Sequence, residues 1–225
     1  IGDIVKLDDV ADVPPQIFKK EYIELTEQQE RVMKKIYDPL PIVRFTRQHE
    51  VENGFLPIFT KENIETLEHQ TIPNNKIERI KQLCEENEKI AIIARYNRQL
   101  HDIREVLQKH NPKWKIYLIN GDEPKRHGLI READATKECI VLIQSDTCEG
   151  YELPSIGVIV FASSSFSYLN RVQMIGRFLR INRLKKNVYI DLITASKDQS
   201  LDEAVLESLE NKANFDLAIY AGKRS

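Results

Sequence analysis

The sequence predicts an α/β protein: a parallel sheet of about five or six strands with helices on both faces, preceded by a smaller, mostly helical linker segment. Three observations predict it. From Asn74 onward, short runs that are apolar from end to end alternate with stretches whose apolar residues recur at helical spacing. The runs KIAIIA (Lys89–Ala94) and CIVLIQ (Cys139–Gln144) lack polar alternation, which marks strands buried on both sides, and such strands belong to parallel sheets. Strand–helix alternation then requires crossovers that lay helices over the sheet. Residues 1–73 lack this rhythm, so the chain divides into a linker and helical extension over residues 1–73 and an α/β domain over residues 74–225.

Each element follows from local chemistry. Gln16–Leu25 alternates loosely and reads as a strand. Thr26 has the hydroxyl to cap the helix EQQERVMKKIYD, which Pro39 and Pro41 end. A helix over Ile42–Glu52 closes on Asn53-Gly54. Phe55–Pro73 carries no periodic signal. Asn75 is placed to cap KIERIKQLCEEN, whose Ile77, Ile80, Leu83 and Cys84 share a face. Strands then fall at Lys89–Ala94, Lys115–Asn120, Cys139–Gln144, Ile156–Ser163 and Asn187–Ile193. The helices between and after them are Arg98–His110, GLIREAD, YLNRVQMIGRFLR and SLDEAVLESLENK.

Composition narrows the function classes. With 41% hydrophobic and 30% charged residues, the chain is of the soluble globular type and can bury one sizeable core. No apolar run approaches the ~20 residues of a membrane span, and the N-terminus lacks the basic head and apolar core of a signal peptide. Ile at position 1 reads as the start of a fragment. Cys84, Cys139 and Cys148 are odd in number and match no zinc spacing, which points to a reducing, cytoplasmic setting. The five histidines are likewise scattered, so no metal site is expected. A net charge of −2 excludes bulk attraction to nucleic acid, so any such contact must come from a local arrangement.

The strongest chemical signal is QMIGRFLR, of the form QxxGRxxR, with Gln173, Gly176, Arg177 and Arg180 at spacings that place them on one helix face. An arginine is always charged and its fork matches phosphate oxygens, so two arginines three apart suit charge building on a transferred phosphoryl group. An amphipathic helix with solvated arginines explains the same residues equally well taken alone. About twenty residues earlier, QSDTCEGYELP follows a buried strand. There Gly150 permits close backbone approach, Ser145 and Thr147 offer hydroxyls and N–H groups to phosphates, and Glu152 can bond a ribose hydroxyl or an arginine of the next helix. A plain turn-forming loop is the bland alternative. Trp114 is expected to pack, and Tyr96 is divided between packing and a stacking or interlobe role.

Together these segments resemble motifs V and VI of superfamily 2 helicases, and IAIIARYNRQL (Ile90–Leu100) resembles motif IV. The texture is nearest to Swi/Snf-type and phage-encoded helicases, in which a segment like VPPQIFKKEYIELTEQQ joins two lobes. The likeness is strong over about Lys89–Ile193. It implies a RecA-like lobe, the C-terminal half of an ATP- and Mg²⁺-dependent DNA helicase or translocase (RNA being the other substrate it allows), in a phage- or bacterium-encoded cytoplasmic protein. ATP would lie between this lobe and an N-terminal RecA-like lobe of the same full-length protein, which carries the phosphate loop and holds the metal. Arg177 and Arg180 would then be the catalytic arginines, with Arg180 the finger proper. Gly150, Glu152 and Gln173 would contact the nucleotide, and Arg95, Asn97, Gly121, Ser145 and Thr147 the nucleic-acid backbone. Glu152 departs from the Asn or Asp of the families.

No GxxxxGK[ST] occurs, and Asp122-Glu123, with Gly121 before it and Pro124 after it, does not read as a magnesium box. Alone, the chain is expected to be inactive. A stand-alone α/β module that binds protein or nucleic acid without catalysis fits the missing loop equally. A nucleotide-sugar transferase fits the rhythm, but has no need of paired arginines. Arg171, one turn before the motif, is expected to be silent.

Overall fold

The computed structural model describes residues 15–58, 68–121, 125–147, 150–179, 186–196 and 199–224. In chain order the elements are β1 (Gln16–Glu24), α1 (Glu27–Met33), α2 (Pro41–Glu52), β2 (Phe55–Ile58), β3 (Glu68–Thr71), α3 (Asn75–Glu86), β4 (Lys89–Ala94), α4 (Asn97–His110), β5 (Ile116–Ile119), α5 (Arg126–Ala135), β6 (Cys139–Gln144), β7 (Val158–Phe161), α6 (Tyr168–Gly176), β8 (Asn187–Ala195), α7 (Leu201–Glu210) and α8 (Leu217–Arg224). Six strands form one sheet in the order β1-β8-β7-β4-β6-β5, and every pairing is parallel. The parallel sheet read from the sequence is therefore present at its upper strand number.

Strand alternation splits the core into two layers. Ile90, Ile92 and Ala94 of β4, with Ile140 and Leu142 of β6, pack against α3 and α4. Ala91 and Ile93, with Val141 and Ile143, face the opposite way onto Ile130, Met174 and Phe178. The continuous apolar runs are thus explained: every position of these strands meets a covered face. Cys84 and Cys139 are buried, one in each layer, and burial pushes the Cys84 thiol up to about 12, so it stays an inert thiol. Cys148 lies outside the described residues. Trp114 packs partly buried beside His110, at the end of the sheet away from the strand carboxyl ends.

The N-terminal third departs from expectation in three ways. Strand β1 pairs with β8 along all nine residues, Gln16 to Glu24 against Asn187 to Ala195, so it crosses the expected boundary at residue 73 and belongs to the main sheet. Thr26 caps α1 as read, and the cap is reciprocal: Thr26 Oγ1 accepts from the Gln29 N–H, and Gln29 Oε1 accepts from the Thr26 N–H. The cap of α3 is Asn74, which accepts from the Lys76 N–H at 2.8 Å, whereas Asn75 donates to the Glu24 carbonyl. The antiparallel pair β2–β3 had no periodic signal because each strand has only four residues and one contains Pro57. Helix α8 packs on α2, with Phe45 and Tyr220 edge to face at 5.1 Å.

Candidate functional site

The carboxyl ends of the strands, where open α/β sheets carry their ligands, hold the candidate residues. After β4 come Arg95, Tyr96 and Asn97; after β5, Gly121; after β6, the loop from Ser145. Gly121 is exposed and its N–H donates to Gln144 Oε1 at 3.3 Å, tying the ends of β5 and β6 together. The Arg95 guanidinium stacks 3.8 Å from the centre of the Phe166 ring, and the Arg95 backbone N–H donates to Ser163 Oγ. Asn97 opens α4, partly buried. Tyr96 turns inward: its ring packs edge-on against Phe55 at 5.1 Å and its hydroxyl lies 2.7 Å from His49 Nδ1. That geometry takes Tyr96 off the open rim and gives it a packing role.

Ser145 and Thr147 are buried, and their donors are already used. The Ser145 N–H bonds the Ala94 carbonyl and its hydroxyl faces Asp146 Oδ1; the Thr147 N–H and hydroxyl both bond the Gln144 carbonyl. In this conformation those donors are taken up within the fold, because a buried strand end must satisfy its own polar groups. Sequence reading missed the organising residue between them. Asp146 Oδ1 accepts from Ser165 Oγ at 3.0 Å and Asn170 Nδ2 at 3.1 Å, so the start of the loop is fastened to the first turn of α6.

The far end of the loop is fastened to the other end of α6. The expected helix over YLNRVQMIGRFLR stops at Gly176, and Arg177 is its C-cap. Just past the helix end, the Arg177 carbonyl accepts from the Leu153 N–H at 2.8 Å. The Arg177 side chain reaches the same loop: Nη1 donates to the Tyr151 carbonyl at 3.1 Å, and the guanidinium lies 5.8 Å from the Tyr151 ring centre. Glu152 is exposed. Gly150 has φ +80°, a left-handed conformation that glycine adopts without strain. Gln173 stands part-buried on α6, three residues ahead of Gly176. The loop and the arginine helix thus form one unit, bonded at both ends. Arg180, Asp122 and Glu123 lie outside the described residues.

Arg171 is buried, and its guanidinium makes a two-pronged ion pair with Asp191, both N···O distances 2.8 Å. It also donates to Ser164 Oγ and lies 4.2 Å over the Phe161 ring. Arg171 thus joins α6 to β8.

With this geometry in place, the likeness to known proteins can be read. Residues 75–182 match the family model of the helicase conserved C-terminal domain. No curated protein sequence matches the chain. The fold is similar to the C-terminal part of the Fun30 ATPase domain (TM-score 0.64, 16% identity, 93% of this chain and 93% of that one). It is similar to the C-terminal domain of a Sulfolobus solfataricus SWI2/SNF2 ATPase (TM-score 0.61, 16% identity, 91% and 92%). It is also similar to domain 2 of the Mss116p DEAD-box helicase, solved bound to an RNA duplex (TM-score 0.51, 20% identity, 64% and 56%). The chain is a RecA-like lobe. Residues 75–182, just under half of the chain, resemble the helicase conserved C-terminal domain, and 91% of the chain follows the fold of a SWI2/SNF2 ATPase C-terminal domain. No helix among the described residues is long and apolar enough to cross a membrane.

Proposed function

We propose that this chain is the second motor lobe of an ATP-dependent DNA helicase or translocase, working against an N-terminal lobe of the same full-length protein. The observation that carries this reading is the double fastening of the loop from Ser145 to Leu153 onto α6, with Arg177 at the junction. A lobe that couples nucleic acid to a nucleotide needs its backbone-contacting loop and its arginines to move as one body. On this reading Arg177 and Arg180 face the triphosphate across the cleft, Gly150, Glu152 and Gln173 border the nucleotide, and Arg95, Asn97, Gly121, Ser145 and Thr147 lie along the nucleic-acid backbone. For Ser145 and Thr147, engagement requires the loop to exchange its internal bonds for phosphate contacts.

The residues present fit part of an ATP site. Arginine and a glycine-containing loop suit phosphate and ribose, but the described part of the site presents no paired acidic side chains for magnesium. Magnesium and the phosphate-binding loop belong to the other lobe, and bound ATP supplies the phosphoanhydride whose cleavage drives the cycle. This chain's own share is to hold positive charge and to exclude water when the lobes close.

The isolated chain is expected to hydrolyse no ATP above background, with or without DNA. Phosphate release by the purified chain that a substitution at Arg177 abolishes would sink the half-motor reading. Binding of single- and double-stranded DNA is expected to be weak and indifferent to sequence. With Arg95 the one cation among the proposed contacts, a fourfold rise in salt should weaken it about threefold. A titration showing tight, sequence-selective binding unaffected by salt would count against the proposed interface.

A further inference from the structure

Away from the loop and α6, the lobe gathers four ionisable side chains with almost no exposure. His49 and Glu52 stand on α2, Lys76 at the start of α3 and Asp202 in the first turn of α7. The Lys76 ammonium donates to Asp202 Oδ2 at 2.5 Å, Asn53 Oδ1 at 3.1 Å and the Ala162 carbonyl at 3.2 Å, so all its protons are placed. Asp202 Oδ2 also accepts the N–H and hydroxyl of Thr194, and its Oδ1 lies 3.1 Å from His49 Nε2. Glu52 Oε1 accepts the Leu201 N–H at 3.3 Å. Glu52 Oε2 is buried and has no hydrogen-bond partner. The nitrogen of His49 and the carboxyl oxygens of Glu52 and Asp202 lie within 4.8 Å of one another.

A charge count decides what completes this cluster. Burial lowers the basicity of His49, against the pull of Asp202, so its ring is neutral. With Glu52 ionised, two carboxylates would face one ammonium, leaving a net negative charge buried, which is costly. A divalent cation would overcorrect to a net positive charge, and the Asp202 carboxylate is already engaged by four hydrogen bonds from three residues. One proton brings the sum to zero and turns the orphaned oxygen into a donor. The other neighbours of this seam leave the count unchanged. From α1, Gln29 bonds the Glu52 carbonyl; from α8, Tyr220, and from α2 itself, Arg44, line the adjoining cavity of about 410 Å³. Arg95, beyond Tyr96, reinforces the neutrality of His49.

We propose that Glu52 is protonated at neutral pH and that its neutral carboxyl is a latch seating α2 against α7. Ionisation places like charges across the seam and unseats α2. The expected titration agrees: burial pushes the Glu52 carboxyl up to about 8, the Asp202 charge adds to this, and Lys76 opposes it. Asp202 itself stays ionised, because Lys76 and His49 outweigh the burial that would raise it. Since the folded-state value is raised, the stabilisation is fully present below the ordinary glutamate range and is lost as pH rises through the folded value.

The test is urea unfolding of the chain across pH, wild type beside Glu52→Gln. Relative to the Gln variant, the wild-type unfolding constant should rise about fiftyfold between about pH 6 and pH 8, then only about twofold more by about pH 9.5. Amide exchange in α2 should accelerate over the same window in the wild type only, beyond the base catalysis both proteins share. Parallel profiles in the two proteins would overturn the proposal. If the Gln variant does not fold, the Glu52 side-chain carboxyl carbon is titrated by NMR in the wild type. A midpoint near 8 supports the latch, and one in the ordinary carboxylate range overturns it. A wild-type chain that a chelator destabilises at pH 7, or that added Zn²⁺ stabilises, would place a cation where the proton is proposed, and that too would overturn it.

Discussion

In a protein carrying both lobes, Arg180→Ala is expected to reduce ATP turnover by at least about a hundredfold while changing nucleotide affinity by roughly tenfold or less. An arginine that meets only the developing phosphoryl charge acts on the transition state and little on ground-state binding. Arginine fingers are worth on the order of 10³ or more in turnover. Arg180 lies outside the described residues, so this expectation rests on its place three residues after Arg177 in the motif. Arg177→Ala should behave differently. Its guanidinium holds the Tyr151 carbonyl, so its loss loosens the loop beside Gly150 as well, and both turnover and affinity should fall. Arg104, exposed on α4 on a different part of the lobe, serves as the control. A folded Arg180→Ala protein that turns over ATP near the wild-type rate would leave QxxGRxxR as an amphipathic helix end and favour a binding module without catalysis.

The second large effect is on stability. Arg171→Ala should destabilise the lobe by about 3–5 kcal/mol, because it strands the buried Asp191 carboxylate without its partner. Chemical denaturation of the isolated chain measures this. Replacing both partners by apolar residues of similar volume should recover most of the loss, since the penalty lies in the orphaned charge. Arg171→Lys keeps the charge but loses the second prong and the Phe161 face, so it should fall between. A loss below about 1 kcal/mol for Arg171→Ala would mean that Asp191 finds water or another donor and that the pair adds little.

Arg171 also marks where sequence reading stops. Its spacing on α6 is visible in the chain, but its partner sits twenty residues away on β8, and nothing in composition pairs them. The same holds more strongly for His49 and Asp202, 153 residues apart. Scattered histidines and carboxylates look solvated until the fold closes over them. The main sheet from β4 to β8 was legible because covered strands leave an uninterrupted apolar record, and helix starts such as Thr26 were legible because the capping chemistry is local. The end of α6 was not. The Arg177 carbonyl just past its end is bonded by Leu153, from another segment. Likewise, Ser145 and Thr147 were identified by residue type as donors, but residue type does not tell whether a hydroxyl faces solvent or its own backbone.

The position of β1 has a consequence for how the lobe is made. Its partner along the sheet begins at Asn187, 171 residues after Gln16 (187 − 16), and every residue of β1 pairs with β8 and with no earlier strand. At about 5–20 residues per second, a ribosome delivers β1 roughly 10 to 30 seconds before it delivers β8. Throughout that interval Ile17 and Ile23 have no sheet to cover, and Phe18 has no Tyr189 to stack on. Strands β4 to β7 can assemble without it, so the nascent chain builds its sheet from the middle outward. Of the six strands of this sheet, the first to be synthesised is the last to find its neighbour, held in waiting as an unpaired ribbon while the others take shape.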